Sequence, residues 1–218
     1  MKIAVPLDQR NFRERSRKAL ELGAQLIEIR VDLFENRDPG FILECVETVK
    51  SYGGELILTV RSPSEGGRPV PERLEIFKKV SPHCEYTDLE LSSRDFIGPV
   101  KESVSKGKGN LILSFHDFER TPPAWMIKEI IREGMRFGAI PKVAVMANTY
   151  SDVHRLLCAG GEIQGEKILI AMGEVGRISR LAGFLAGSVI TYCALDEAVA
   201  PGQISVEEMV KLRELFLK

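Results

Sequence analysis

The sequence predicts an α/β architecture, a single (β/α)8 or TIM-type barrel over residues 1–218. Three observations carry that expectation. Short apolar, β-branched runs recur at intervals of roughly 20–30 residues, and segments with helical signals separate them. No linker or low-complexity stretch interrupts the alternation, and 218 residues suffice for one large core. Eight strands are expected, near Ile3–Leu7, Leu26–Asp32, Leu56–Val60, Tyr86–Leu91, Leu111–Phe115, Lys142–Ala147, Lys167–Met172 and Ser188–Tyr192. An open doubly wound sheet is the alternative, and it needs fewer strands. Closure itself is not decided by the sequence.

The helices between the strands follow ordinary punctuation. Asp38-Pro39 opens one that closes at Gly53-Gly54, and another is expected from Thr121-Pro122 to Gly138. The last starts at Ser205, with Glu208 three residues on as its capping-box partner.

Composition excludes several function classes. With 44% hydrophobic and 28% charged residues the chain reads as globular, and a net charge of −1 gives no general attraction for nucleic acid or anionic membranes. The apolar run at the N-terminus is far too short for a signal peptide, and no stretch approaches the roughly 20 apolar residues of a membrane span. A cytoplasmic location is the expectation. Cys45, Cys84, Cys158 and Cys193 form no CxxC pair and are read as buried free thiols. His83-Cys84 and His154 with Cys158 have spacing too uninformative to assign a metal. Asn and Gln number only four each beside abundant Glu, a thermophile-like lean.

Charged residues occupy positions where a helix-covered parallel strand is normally apolar. In Ile27-Glu28-Ile29-Arg30-Val31-Asp32 the apolar and charged residues alternate strictly, placing Glu28, Arg30 and Asp32 on one face. An edge strand with one wet face explains this equally well. In a closed barrel, however, that face points inward, and buried charges cost several kcal/mol unless paired. A polar ligand pocket then follows. Arg61 ends the next strand before Ser62-Pro63-Ser64-Glu65-Gly66-Gly67, which is either a site loop or a solvated turn and lacks the Gly-Lys-Ser/Thr of a phosphate loop.

His116 follows the strand Leu111–Phe115; a lone histidine at a strand end is more often structural, but histidine suits acid–base work near neutral pH if a partner lies opposite. Lys142 shares a strand face with Ala144 and Met146. Pointing inward, it would be an amine whose burial disfavours the ammonium form and frees it to attack a carbonyl. At a strand start it could equally reach solvent. Met172-Gly173-Glu174-Val175-Gly176 lacks GxGxxG, which argues against a nicotinamide cofactor, while Arg180 suits a bidentate carboxylate clamp. Ala200-Pro201-Gly202-Gln203 has the composition of a loop that closes over a barrel mouth.

In this order, EIRVD, LTVRS with its downstream EGG, YTDLEL, LSFHDF, PKVAVMA, MGEVGRISRLAG, GSVITYCAL and APGQISV resemble type I 3-dehydroquinate dehydratase. Eight pieces in register, from the second strand to the last helix, are far more specific than any one of them. The resemblance implies a (β/α)8 barrel, usually a homodimer, that dehydrates 3-dehydroquinate to 3-dehydroshikimate in the shikimate pathway, without metal or cofactor. On matching positions it implies that Lys142 forms an imine with the substrate ketone, that His116 is the proton shuttle, and that Glu65 holds His116. It further implies that Glu28, Arg30, Arg61, Arg180 and Gln203 bind the substrate's hydroxyls and carboxylate. One position departs: Val199 stands where the family usually has a serine two residues before Pro-Gly-Gln. The rival readings are another Schiff-base barrel of the class I aldolase kind and a silent barrel that only binds a polyhydroxy acid. The Glu28/Arg30 pair with His116 argues against the first, and the joint presence of Lys142 and His116 against the second.

Overall fold

The computed structural model describes residues 1–196 and 202–216. Its elements alternate from β1 (Lys2–Leu7) and α1 (Phe12–Glu21) through β2 (Leu26–Arg30), α2 (Pro39–Ser51), β3 (Glu55–Thr59) and α3 (Arg73–Val80). They continue with β4 (Tyr86–Glu90), α4 (Arg94–Lys106), β5 (Asn110–Asp117), α5 (Ala124–Arg136), β6 (Ile140–Met146) and α6 (Tyr150–Gly161). The last four are β7 (Ile168–Met172), α7 (Ile178–Ala182), β8 (Ile190–Tyr192) and α8 (Val206–Phe216). All eight strands run parallel in the order β7-β6-β5-β4-β3-β2-β1-β8.

The seam between β7 and β8 is thin, and it brings the barrel close to closure. Lys167 and Ser188 form a single bridge just before the two strands. The Val189 N–H donates to the Lys167 carbonyl at 2.8 Å, and the Leu169 N–H donates to the Ser188 hydroxyl oxygen at 3.1 Å. A side chain thus supplies one acceptor that a longer β8 would have supplied from its backbone.

Strand alternation divides the core in two. Ile27, Ile29, Val31, Val143 and Val145 face outward into the layer beneath the helices. Ala4, Leu26, Ile57, Ile112, Ala144, Ile168, Ile170 and Tyr192 fill the barrel interior. The second strand's charged face therefore turns inward, as expected of a barrel without edges.

Several boundaries differ from the sequence expectation, each for a local reason. β2 stops at Arg30, because Val31–Leu33 turn into a 3-10 segment that holds Asp32. β3 stops at Thr59, and the Val60 carbonyl accepts from the Arg73 Nε instead of a ladder partner. β5 runs on to Asp117 and β6 starts at Ile140, since their pairing extends from Ile112–Ile140 to Asp117–Val145. α5 begins at Ala124 rather than at Thr121-Pro122. Thr121 and Pro122 each precede a proline, which pushes both out of the helical region. The capping boxes at Thr149/Asp152 and Ser205/Glu208 are formed. Cys45, Cys84 and Cys193 are buried free thiols, but Cys158 is exposed on α6, its Sγ 3.3 Å from His154 Nε2. Val199 lies outside the described residues. No helix among the described residues is long and apolar enough to cross a membrane.

Candidate active site

One cavity of about 210 Å³ opens at the carboxyl ends of the strands. All eight residues singled out in the sequence line it: Glu28, Arg30, Arg61, Glu65, His116, Lys142, Arg180 and Gln203. Their convergence follows from topology: Glu28, Arg30, His116 and Lys142 face inward from β2, β5 and β6, while Arg61, Glu65, Arg180 and Gln203 lie on segments that follow strands at the same mouth.

Lys142 is 4% exposed and points inward, which decides between the two alternatives left open by its sequence context. It does not stand alone on an apolar face. Its Nζ donates to Asp88 Oδ2 at 2.7 Å and sits 4.2 Å from the centroid of the Tyr192 ring. Asp88 also pairs with Arg61 at 2.9 Å and accepts from the Ser114 hydroxyl at 2.7 Å. Arg61 pairs in turn with Glu90 at 3.0 Å, and Glu90 with Arg73 from α3. A ladder of alternating charges, Arg73–Glu90–Arg61–Asp88–Lys142, thus crosses the interior from the helix layer to the lysine. Such burial is tolerated because every ion has opposite neighbours and hydrogen bonds. Burial alone would raise the Asp88 carboxyl, but Arg61 and Lys142 outweigh it and hold the group well below the usual carboxylate range. Burial opposes the charge on Arg61, yet Asp88 and Glu90 keep its guanidinium above the ordinary value.

His116 sits on the neighbouring strand. Its Nδ1 lies 2.8 Å from Glu65 Oε2, and its backbone N–H donates to the same oxygen at 3.1 Å. The Ser92 hydroxyl donates to Glu65 Oε1 at 2.8 Å. Burial pushes the Glu65 carboxyl up to about 7. Burial first, then Arg61 and Lys142, drives His116 well below the usual imidazole value. At neutral pH the imidazole is therefore uncharged. When Glu65 is ionised, it accepts the Nδ1 proton and leaves Nε2 unprotonated. Phe118 stacks on the imidazole with centroids 6.0 Å apart. The loop that delivers Glu65 needs its glycines: Gly66 has φ 86°, and a Cβ on Gly67 would collide with the Arg61 carbonyl.

On the opposite wall, Thr59 donates to Glu28 Oε1 at 2.7 Å, and Arg30 meets Asp32 through Nε at 3.0 Å and a terminal nitrogen at 2.8 Å. Arg180 holds the Gly202 carbonyl at 2.8 Å and the Tyr192 carbonyl at 3.1 Å, which ties the segment bearing Gln203 to the mouth. Burial lowers the Arg180 guanidinium to about 10.

Comparison with known proteins shows the family. The family model for type I 3-dehydroquinase matches residues 3–217. The chain belongs to that family. It is 53% identical over its full length, and over the full length of the relative, to a 3-dehydroquinate dehydratase of Aquifex aeolicus. It is 49% identical to one from Hydrogenobaculum, over 99% of each chain. The solved Aquifex aeolicus structure superposes with a TM-score of 0.97 over 100% of both chains. A Clostridium difficile type I enzyme, solved with covalently modified comenic acid, is 31% identical with a TM-score of 0.90, over 98% of this chain and 91% of that one. As a type I 3-dehydroquinase the chain is a dehydratase, a hydro-lyase.

Sequence reading passed over Asp88, Glu90, Ser114 and Tyr192. The first two carried a usable signal, since in Thr87-Asp88-Leu89-Glu90 acids alternate along a strand just as they do in β2. Ser114 and Tyr192 carried none, because a serine or tyrosine on a strand is unremarkable without its partners.

Proposed function

We propose that this dehydratase works through an imine on Lys142, with His116 as proton shuttle and Glu65 fixing its tautomer, and that it serves the shikimate pathway. The observation carrying the reading is the meeting, in one cavity, of a buried lysine and an imidazole held by a carboxylate. A covalently modified ligand in the Clostridium difficile relative fits it.

The chemistry balances as follows. Lys142 releases one ammonium proton and adds to the substrate ketone; that proton returns to the carbinolamine hydroxyl, which departs as water and leaves an iminium. The iminium acidifies the adjacent C–H, and His116 Nε2 removes that proton. The electron pair passes through the enamine to expel the β-hydroxyl. That leaving group takes the proton from His116 and departs as a second water. Hydrolysis of the conjugated iminium consumes one water and frees the enone and Lys142. One water is lost in all. Arg180 and Gln203 bind the substrate carboxylate, whereas Glu28, Arg30 and Arg61 meet its hydroxyls, and the two arginines disfavour a charged lysine. A cytoplasmic homodimer completes the reading, and sedimentation equilibrium tests the dimer.

Adding 3-dehydroquinate and following the absorbance of the conjugated product is the direct assay. His116→Ala should fall by at least about 10²-fold, the lower bound of general acid–base help. Retention of more than about a tenth of the wild-type rate would remove His116 from the mechanism.

A further inference from the structure

Ser92, at the first position past the Glu90-Leu91 end of the fourth strand segment, belongs to no motif used so far. Its hydroxyl donates to Glu65 Oε1 at 2.8 Å, the oxygen that His116 does not use. Glu65 Oε2 accepts both the His116 backbone N–H and, at 2.8 Å, Nδ1. The carboxylate is therefore gripped at both ends. From these contacts we infer that Ser92 is a positioning residue for the reaction, acting through Glu65 to keep His116 Nε2 available as a base. The inference rests on the proposed role of His116.

The argument is one of tautomers. An ionised Glu65 can only accept, so Nδ1 must carry the imidazole proton and Nε2 its lone pair. A protonated Glu65 donates to Nδ1 instead, places the proton on Nε2 and disables the base. Whatever stabilises the carboxylate therefore extends the working range to lower pH. The groups facing Glu65 are mixed: Arg61 from the end of β3 favours its charge, while Glu90 and Asp88 from β4 oppose it. His116 itself faces Arg61, Lys142 and Arg30 as well as Asp88. Burial works against the carboxylate, and Ser92 gives it the largest single opposing contribution. A hydroxyl is well suited to this, because a charged donor at the same place would compete with His116 for the carboxylate.

The test is the pH profile of kcat/KM for Ser92→Ala beside wild type. Loss of the donor should raise Glu65 and move the acidic limb up by about half a pH unit or more, the size expected of one hydrogen bond to a carboxylate. The plateau above the limb should change little, because Glu65 ionises there in either protein. Ser92→Thr, which keeps the hydroxyl, should return the limb to its wild-type position. A limb that stays in place in Ser92→Ala, whether from a replacing water or from a uniform loss at all pH, overturns the inference. His116→Ala separates that failure from a failure of the mechanism. If it is inactive while the Ser92→Ala limb stays put, only the role of Ser92 is wrong. If it remains active, the base assignment falls and takes Ser92 with it.

Discussion

At the scale of single residues the site is a problem of charge placed where water is scarce. Arg61 and Lys142 hold the Asp88 carboxylate ionised, and the same two neighbours help to keep His116 neutral. The Glu65 carboxyl, pushed up by burial to about 7, then sets the protonation state in which the pair works. As pH rises through that value Glu65 ionises, Nε2 becomes the free base, and kcat/KM should climb on a limb near pH 7. Glu65→Gln cannot titrate, so its profile should lose this limb along with most of its activity. A pH-rate series on both proteins checks this, and a limb that persists in Glu65→Gln assigns it to another group. The eight residues chosen from the sequence all reach the cavity; alternation pointed to Glu28 and Arg30, whereas Glu65 and Gln203 were chosen on the resemblance alone. What had no signal were partners such as Ser114 and Tyr192. A sequence displays the unusual residue in a strand, but a partner is defined only by three-dimensional distance.

At the scale of elements, β4 and α3 matter more to the site than their short lengths imply. Arg73 reaches in from α3 to Glu90 and to the Val60 carbonyl, with Phe77 and Phe96 against its guanidinium. It is the outer end of the ladder whose inner end is Lys142. Removing one partner from a buried ion pair leaves an uncompensated charge, typically at a cost of about 3–5 kcal/mol. Arg73→Leu should therefore lower the unfolding free energy by several kcal/mol, measured by urea denaturation, although Arg73 touches no substrate. A loss below about 1 kcal/mol would mean that water replaces the guanidinium. The strand and helix sequence was legible from apolar periodicity. Boundaries were not, because side chains such as Arg73, Thr121 and Asp32 capture backbone groups that a regular element would use.

At the scale of the whole molecule, a barrel needs every strand paired on both sides, and β7–β8 is where that pairing is scarcest. Ser188 receives the Leu169 N–H and donates to the Ile190 carbonyl at 3.3 Å. Ser188→Ala would strand a buried N–H, a loss of about 1–3 kcal/mol. Chemical denaturation should show that loss, and amide exchange at Leu169 should accelerate more than exchange in β4–β6. Unchanged protection at Leu169 would show that the seam does not depend on the serine. Eight strands made a barrel the expectation but left closure open, because the charged face of β2 suits a wet edge strand equally well. Ser188, which supports the seam beside the Val189–Lys167 backbone bond, gave no warning in the sequence.

The central claim is that Lys142 bonds covalently to the substrate, and reductive trapping tests it most directly. Borohydride added with 3-dehydroquinate or product should inactivate the enzyme and leave one ligand mass on the peptide carrying Lys142, read by mass spectrometry. An adduct on another lysine, or inactivation without any adduct, would contradict the imine.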